Sequence, residues 1–238
     1  MKRNHSDSQS QPKAQMKKPS VEEVNSLSTQ DFFQQYAPQA PIVIEVDAPA
    51  GSKAWTIRMT AWSQMIISTQ EACIGLIEST SSHHYRSSEI GWSRSGKWKE
   101  MSHPAMKYLL LVESESSDSS QALGGFTSFM ITEEDGYFVA YCYEIHLSPA
   151  LQGRAVGKQL MDLIEAIGRE VGVDKVMLTV FKSNQAATKA YHRWNYVLDQ
   201  FSPRPRKLRR GAVQEPSYVI LSKDAAKFAL KTSALSLK

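Results

Sequence analysis

Residues 141–191 read YCYEIHLSPALQGRAVGKQLMDLIEAIGREVGVDKVMLTVFKSNQAATKAY, and the order of elements in that stretch decides the fold. A strand-like segment, 138–147, runs into a short loop, Gln152-Gly153-Arg154-Ala155-Val156-Gly157. The loop opens a strongly patterned helix, 157–168, with Leu160, Leu163, Ile164 and Ile167 at core-facing spacing. A β-branched strand follows at 175–181, and Asn184 then opens a second helix with Ala187 and Tyr191. A glycine-bearing loop at a helix N-terminus directs backbone N–H groups outward, and the helix dipole adds positive potential there. Such a loop is a seat for a phosphate.

Upstream, Glu133-Glu134-Asp135-Gly136 is a turn sequence joining two predicted antiparallel strands, 122–132 and 136–147. Another strand is predicted at 107–113, followed by an acidic Ser-rich loop at 114–120. Nearer the N-terminus, Ser20 and Glu23 form a capping-box pattern that predicts one helix over 20–36, ended by Pro38 and Pro41. Short strands are expected at 42–46 and 55–59 around Ala50-Gly51. A helix is expected at 61–79, with Trp62, Met65, Ile66, Ile74 and Ile77 as core contacts. The polar run after it reads as a connection, with His83-His84 in a solvated turn. A short amphiphilic segment surrounds Trp98. Downstream, strands are predicted at 196–201 and 217–221. Between them, residues 204–210 hold five basic side chains in seven. This order implies an α+β (mixed α/β) fold with a central, mostly antiparallel sheet flanked by helices. The domain expected is 20–222, preceded by a basic arm at 1–19 and followed by a tail at 223–238.

With 238 residues, 42% hydrophobic and 22% charged, the chain has the make-up of one sizeable globular domain with tails. No apolar run is long enough to span a membrane, and the N-terminus lacks the apolar core of a secretory signal. Cys73 and Cys142 both sit among apolar residues and read as buried, reduced thiols, which points to cytoplasm and nucleus. No Cys/His cluster has metal-ligand spacing, so no metal is expected. The net charge of +4 is concentrated in the first 20 residues, which hold five basic side chains against Asp7. The rest is balanced, which argues against a nucleic-acid-binding domain. The two basic segments are candidate contacts for ribosome or nucleic acid, nuclear-localisation signals, or plain solvated loops. Nothing demands an auxiliary subunit, and a monomer is expected.

The strand Tyr141-Cys142-Tyr143-Glu144-Ile145 holds the sharpest chemical signal. Alternation would put Tyr141, Tyr143 and Ile145 on one face and Cys142 and Glu144 on the other. A glutamate on a central strand is either paired at the sheet edge or a working carboxylate. Acting through water, it would accept a proton from an attacking amine. An α-amine, with a pKa of about 7.7–8.0, needs far less help than a lysine amine at about 10.4.

Taken together, these motifs resemble the GNAT acetyltransferases, whose pyrophosphate loop reads Gln/Arg-x-x-Gly-x-Gly/Ala. Ala155 stands here where glycine is usual. Ala does not freely adopt positive φ, and Gly153 is expected to supply that freedom. Gly91-Trp92, Lys99-Glu100-Met101, Tyr141-Cys142-Tyr143-Glu144, 175–184 and 217–222 are similar, more narrowly, to the NatD family across about 55–222. These are GNAT-fold N-terminal α-acetyltransferases of histone H4 and histone 2A. The resemblance implies acetyl-CoA as cosubstrate and histone N-terminal tails as partners. It implies backbone pairing of pantetheine with Ile145, His146 and Leu147. The pyrophosphate would be held by Gln152, Gly153, Arg154, Ala155, Val156, Gly157 and Lys158, and Asn184 would contact the pantetheine. It implies a peptide entrance lined by Tyr85, Trp92, Tyr141, Tyr143, Thr179, Ser202 and Tyr218, with Thr132, Glu133 or Glu134 beside the substrate arginine. Glu144 or Tyr143 would take the amine proton, and Tyr191 would protonate the leaving thiolate. The competing readings are a GNAT acting on lysine or small amines, and a CoA-binding adaptor without turnover.

Overall fold

The computed structural model describes residues 18–39, 41–46, 53–114, 122–207, 209 and 213–228. Residues 1–17 of the predicted arm at 1–19, the Ala50-Gly51 turn, most of the Ser-rich loop, part of the 204–210 stretch and the segment from 229 lie outside them. Ser20 caps α1 (Val21–Ser26): its hydroxyl accepts from Glu23 N at 3.1 Å, and the Glu23 carboxylate accepts from Ser20 N at 2.7 Å. The single helix expected over 20–36 is two. Leu27 turns extended, and Ser28 caps α2 (Thr29–Tyr36) by accepting from Asp31 N. A second Ser-x-x-Asp cap inside the predicted helix was the signal for that break.

β1 (Val43–Val46) and β2 (Lys53–Ala61) come next. A 3-10 turn at Trp62–Gln64 then leads to α3 (Ile67–Arg86). The helix expected at 61–79 therefore starts and ends later, and the polar run with His83 and His84 forms its last turns. A narrow stripe, Cys73, Ile74 and Ile77, is fully buried, so polar residues around it are tolerated. α4 (Arg94–Met101) and β3 (Lys107–Glu113) follow. β4 (Leu123–Glu134) and β5 (Tyr137–Leu147) form a hairpin whose two turn residues, Asp135 (φ 50°) and Gly136 (φ 81°), are both left-handed. That twist matches the flanking strands. α5 (Val156–Val171), β6 (Lys175–Phe181) and α6 (Gln185–Arg193) complete the stretch that decided the fold. β7 (Val197–Leu198), β8 (Arg206–Lys207), β9 (Val213–Gln214) and β10 (Tyr218–Asp224) follow, and a 3-10 turn at Ala225–Lys227 lies near the end of the described residues, within the predicted tail. The strand expected at 196–201 shrinks to two residues. Ser202 N bonds Asp199 O, turning the chain away, and the Ser202 hydroxyl accepts from Ile220 N.

Eight strands form one sheet in the order β1-β2-β3-β4-β5-β6-β10-β7, and β8 pairs with β9 apart from it. Every pairing in the sheet is antiparallel except β5 with β6. One face packs against α1, α2 and α5 through Val24, Phe32, Leu160, Ile164 and Ile167. The other packs against α3 and α4 through Ile74, Ile77, Met101, Tyr108 and Phe126. Each such side chain contributes roughly 1.5–3 kcal/mol by leaving water, so two filled layers hold the strands between them rigidly.

Two irregularities in β5 matter most. The parallel ladder with β6 runs from Val139–Lys175 to Cys142–Leu178 and stops, although both strands continue. The strands splay there. On the other side, the β4 register shifts, so that Ser128 faces Glu144 while Phe129 faces Cys142. Tyr143 is the extra residue of a β-bulge.

Candidate active site

The bulge corrects the alternation read from sequence. Cys142 and Ile145 lie on the α5 side. Tyr143 packs on the α3–α4 side, and the Glu144 carboxylate bonds side chains of α3 and α4. Tyr143 and Glu144 therefore share one face. The inserted residue turns two consecutive side chains to the same side of the splay.

Glu144 is 5% exposed and fully engaged. Oε1 accepts from the Tyr85 hydroxyl at 3.0 Å and from Lys97 Nζ at 2.7 Å, while Oε2 lies 2.5 Å from His146 Nε2. Burial alone would raise its pKa. The Lys97 ammonium and the His146 contact outweigh that and hold the carboxyl at about 2. Lys97, itself 6% exposed, also donates to the Tyr85 oxygen at 2.9 Å and to Glu100 at 2.8 Å, so each ammonium proton has a partner. His146 Nδ1 lies 2.6 Å from the Thr80 hydroxyl, which is also 2.7 Å from Leu76 O.

Two connected cavities meet at this point. The smaller, about 120 Å³, is lined by Tyr85, Ile90, Tyr143, Glu144, Thr179 and Phe181. The larger groove, about 680 Å³, runs along Thr80, His84, Leu147, the 152–158 loop and α6. Ile145, His146, Asn184 and Tyr191 line both. The small pocket also contains Cys142, whose thiol burial pushes up to about 12.

The groove fits a pantetheine-diphosphate ligand. Past Cys142, β5 presents backbone toward it with no β6 partner. At the far end, the first helical bond of α5 runs from Gln159 N to Ala155 O at 3.1 Å. The N–H groups of Val156, Gly157 and Lys158 are thereby left for an anion. Gly153 (φ 72°) and Ala155 (φ 59°) are both left-handed, so Ala155 itself adopts the conformation expected only of Gly153. The Gln152 amide donates to Leu147 O at 2.9 Å and Arg154 Nε to Ala150 O at 2.9 Å, fastening the loop to the strand end and its following turn. Lys158 pairs with Asp162 one turn on. Asn184 caps α6 by accepting from Ala187 N at 3.1 Å and lines both cavities. His84 is no solvated turn residue: it is buried, 2.7 Å from the Ser183 hydroxyl, with burial and His83 lowering its pKa.

Of the residues expected at a peptide entrance, Tyr85, Tyr143 and Thr179 line the small pocket, and the others lie outside its lining. The Tyr85 ring lies 5.5 Å from Trp92 and 4.8 Å from Phe181. The Tyr141 ring lies 5.2 Å from Tyr143, and its hydroxyl shares a 2.6 Å hydrogen bond with Thr179. Tyr218 pairs with Phe181 in the sheet. Burial pushes Tyr141 and Tyr143 up to about 12, with the Glu134 charge adding to both. Alternation from Met130, which packs on the α3–α4 side, places Thr132 and Glu134 on that side too and Glu133 on the other. The Ser202 hydroxyl is engaged by the sheet and lies outside both cavity linings. Tyr191 is buried against Trp194 and Tyr196, and burial raises its pKa, so its phenol stays protonated. Lys97 was missed, although it stands four residues before the buried Met101 on α4. That spacing puts it on the helix's inward stripe.

The structure thus sets a splayed parallel pair inside an antiparallel sheet, with an anion loop at one end and a polar pocket at the other. Residues 75–196 match the acetyltransferase (GNAT) family, and the chain belongs to it. It is 31% identical over 154 residues to N-alpha-acetyltransferase 40 of Saccharomyces cerevisiae, a match covering 57% of this chain and 54% of that protein. The chain thus spans about half the length of that curated relative. Among solved structures, the GNAT domain of PAT from S. lividans superposes with a TM-score of 0.50 at 15% identity. That match covers 76% of this chain and 96% of that one.

Proposed function

We propose that this chain transfers acetyl from acetyl-CoA to the α-amine of a protein N-terminus, and that its acceptors are the Ser-Gly-Arg-Gly tails of histone H4 and histone 2A. The observation that carries this reading is the acceptor pocket's floor, a buried Glu144 held ionised by Lys97. The similarity to an N-alpha-acetyltransferase supports it.

A carboxyl group with a pKa of about 2 is a poor base at neutral pH. It is, however, a fixed negative charge in a site shielded from water. The α-amine enters neutral, and its nitrogen becomes positive as it attacks the thioester carbonyl. Glu144 stabilises that charge, and the proton leaves through water. Backbone N–H groups of the splayed strand near Ile145 polarise the carbonyl oxygen. Tyr191, protonated and lining both cavities, supplies a proton to the departing thiolate. Glu134, on the tyrosine-lined face, pairs with the substrate arginine, and a charge-assisted pair of that kind is directional. We place the protein in cytoplasm and nucleus as a monomer.

The test is incubation with acetyl-CoA and a Ser-Gly-Arg-Gly-Lys peptide, free or blocked at its α-amine, with the acetyl group located by fragment mass spectrometry. Acetyl on the terminal serine, and none on the blocked peptide, is the expected result. Acetyl on lysine in both peptides would replace this reading with that of a lysine acetyltransferase. Bound CoA without turnover on any acceptor would favour an adaptor.

A further inference from the structure

We propose that Lys97 is a positioning residue that restricts the acceptor to amines already neutral at the pH of reaction, by holding Glu144 as an anion that does not accept protons. This rests on the α-amine reading and deepens it. The geometry is closed on both sides. Lys97 directs its protons to Glu144 (2.7 Å), Tyr85 (2.9 Å) and Glu100 (2.8 Å), and its nitrogen lies 4.6 Å from the centre of the Tyr85 ring. Glu144 in turn accepts from Lys97, Tyr85 and His146. Tyr85, Glu144 and His146 line the acceptor pocket, and Lys97 stands directly behind them.

The other titratable groups around Glu144 are buried or bonded to a neighbour. From α3 and β3, Tyr85 and Tyr108 are both pushed up by burial and stay neutral. On β5, burial pushes up the Cys142 thiol and the Tyr143 hydroxyl, while His146 is held between Glu144 and Thr80. From α6, Tyr191 is raised in the same way. Glu100, from α4, is bound to Lys97 itself. An ammonium reaching this pocket meets a carboxylate whose oxygens are already held by Lys97, Tyr85 and His146 and which does not take its proton. A lysine side chain with a pKa of about 10.4 would have to be stripped of its proton there, whereas an α-amine at about 7.7–8.0 already holds a neutral fraction on the order of a third near pH 7.5. Without Lys97, Glu144 would keep its burial and lose its main counter-charge, so its carboxyl would titrate far higher and become a working base.

The experiment measures kcat/KM against pH for Ser-Gly-Arg-Gly and Ala-Gly-Arg-Gly peptides, whose terminal amines differ in basicity, and for an α-blocked lysine peptide. The wild-type protein is compared with Lys97→Met, Lys97→Arg and the double variant Lys97→Met/Glu144→Gln. Each is checked by thermal melting and CoA binding. In the wild type, the break in the profile moves with the peptide's own amine. Lys97→Met gains a second ionisation, and its preference for the α-amine over lysine falls about tenfold. Lys97→Arg keeps the wild-type profile, and the double variant loses the added ionisation. A wild-type break that stays put when the peptide changes overturns the inference even if Lys97→Met does not fold. So does a folded Lys97→Met protein whose profile superimposes on the wild type. Those results leave the α-amine reading standing. Acetylation of lysine but not of the α-amine by the wild type overturns both.

Discussion

Ala155 has a Cβ in a backbone region that glycine occupies without cost. Replacing it with glycine removes the strain and adds chain entropy to the unfolded state, two effects of opposite sign. Ala155→Gly should raise unfolding stability by about 1 kcal/mol net, as measured by urea denaturation, with CoA affinity unchanged. Glu144→Gln keeps the shape of the side chain and removes the fixed charge. Turnover should fall on the order of 100-fold while CoA binding holds, as read by steady-state kinetics and titration calorimetry. Unchanged turnover would remove the carboxylate from the mechanism.

At the scale of elements, the reacting centre depends on how closely β4 and β5 approach beside the splay. A Cβ built on Gly125 would lie 2.6 Å from His146 O and 2.6 Å from a Leu147 methyl. Gly125→Ala should therefore push the strand that faces the groove and cost about 1–3 kcal/mol of stability. It should weaken CoA binding more than Ala155→Gly does, which thermal shift with and without CoA would resolve. The strands and helices of 107–193 were legible because their periodicity is strong and their ends carry Asp-Gly, Asn184 and the glycine loop. The bulge was not legible. Tyr143 and Glu144 look like ordinary alternating neighbours, and only the partner strand's register reveals the extra residue. Lys97 was hidden for a related reason: its partner Glu144 lies 47 residues away on another element.

Across the whole molecule, two buried groups make stability rise with pH, each in its own window. Lys107, 5% exposed, donates to Asn25 Oδ1 and Ala105 O at 3.2 Å each and sits 4.4 Å over the Phe32 ring. No carboxylate is among these partners, and burial lowers its pKa from 10.5 to about 8. Between those values the unfolded chain binds the extra proton, so stability rises with pH. Lys107→Met should therefore stabilise the protein most near pH 7. That advantage should shrink by about 2 kcal/mol on moving from about pH 7.5 to about 9.5, as measured by urea midpoints. Glu144 has the same sign in an acid window. Its folded pKa is depressed, so its contribution is present above about 4.5 and is lost as pH falls toward about 2. Composition signalled neither limit, because both depend on which partners the sheet brings to a single buried atom.

Cys142 opens onto the acceptor pocket with its thiol held protonated up to about 12. The thiolate, not the thiol, is the nucleophile, so in the proposed reaction this sulfur should not carry the acetyl group between half-reactions. In the proposed transfer, both substrates should then occupy the protein at once. Double-reciprocal plots at several acetyl-CoA concentrations should intersect rather than run parallel, and protein exposed to acetyl-CoA alone should leave a desalting column at its unmodified mass.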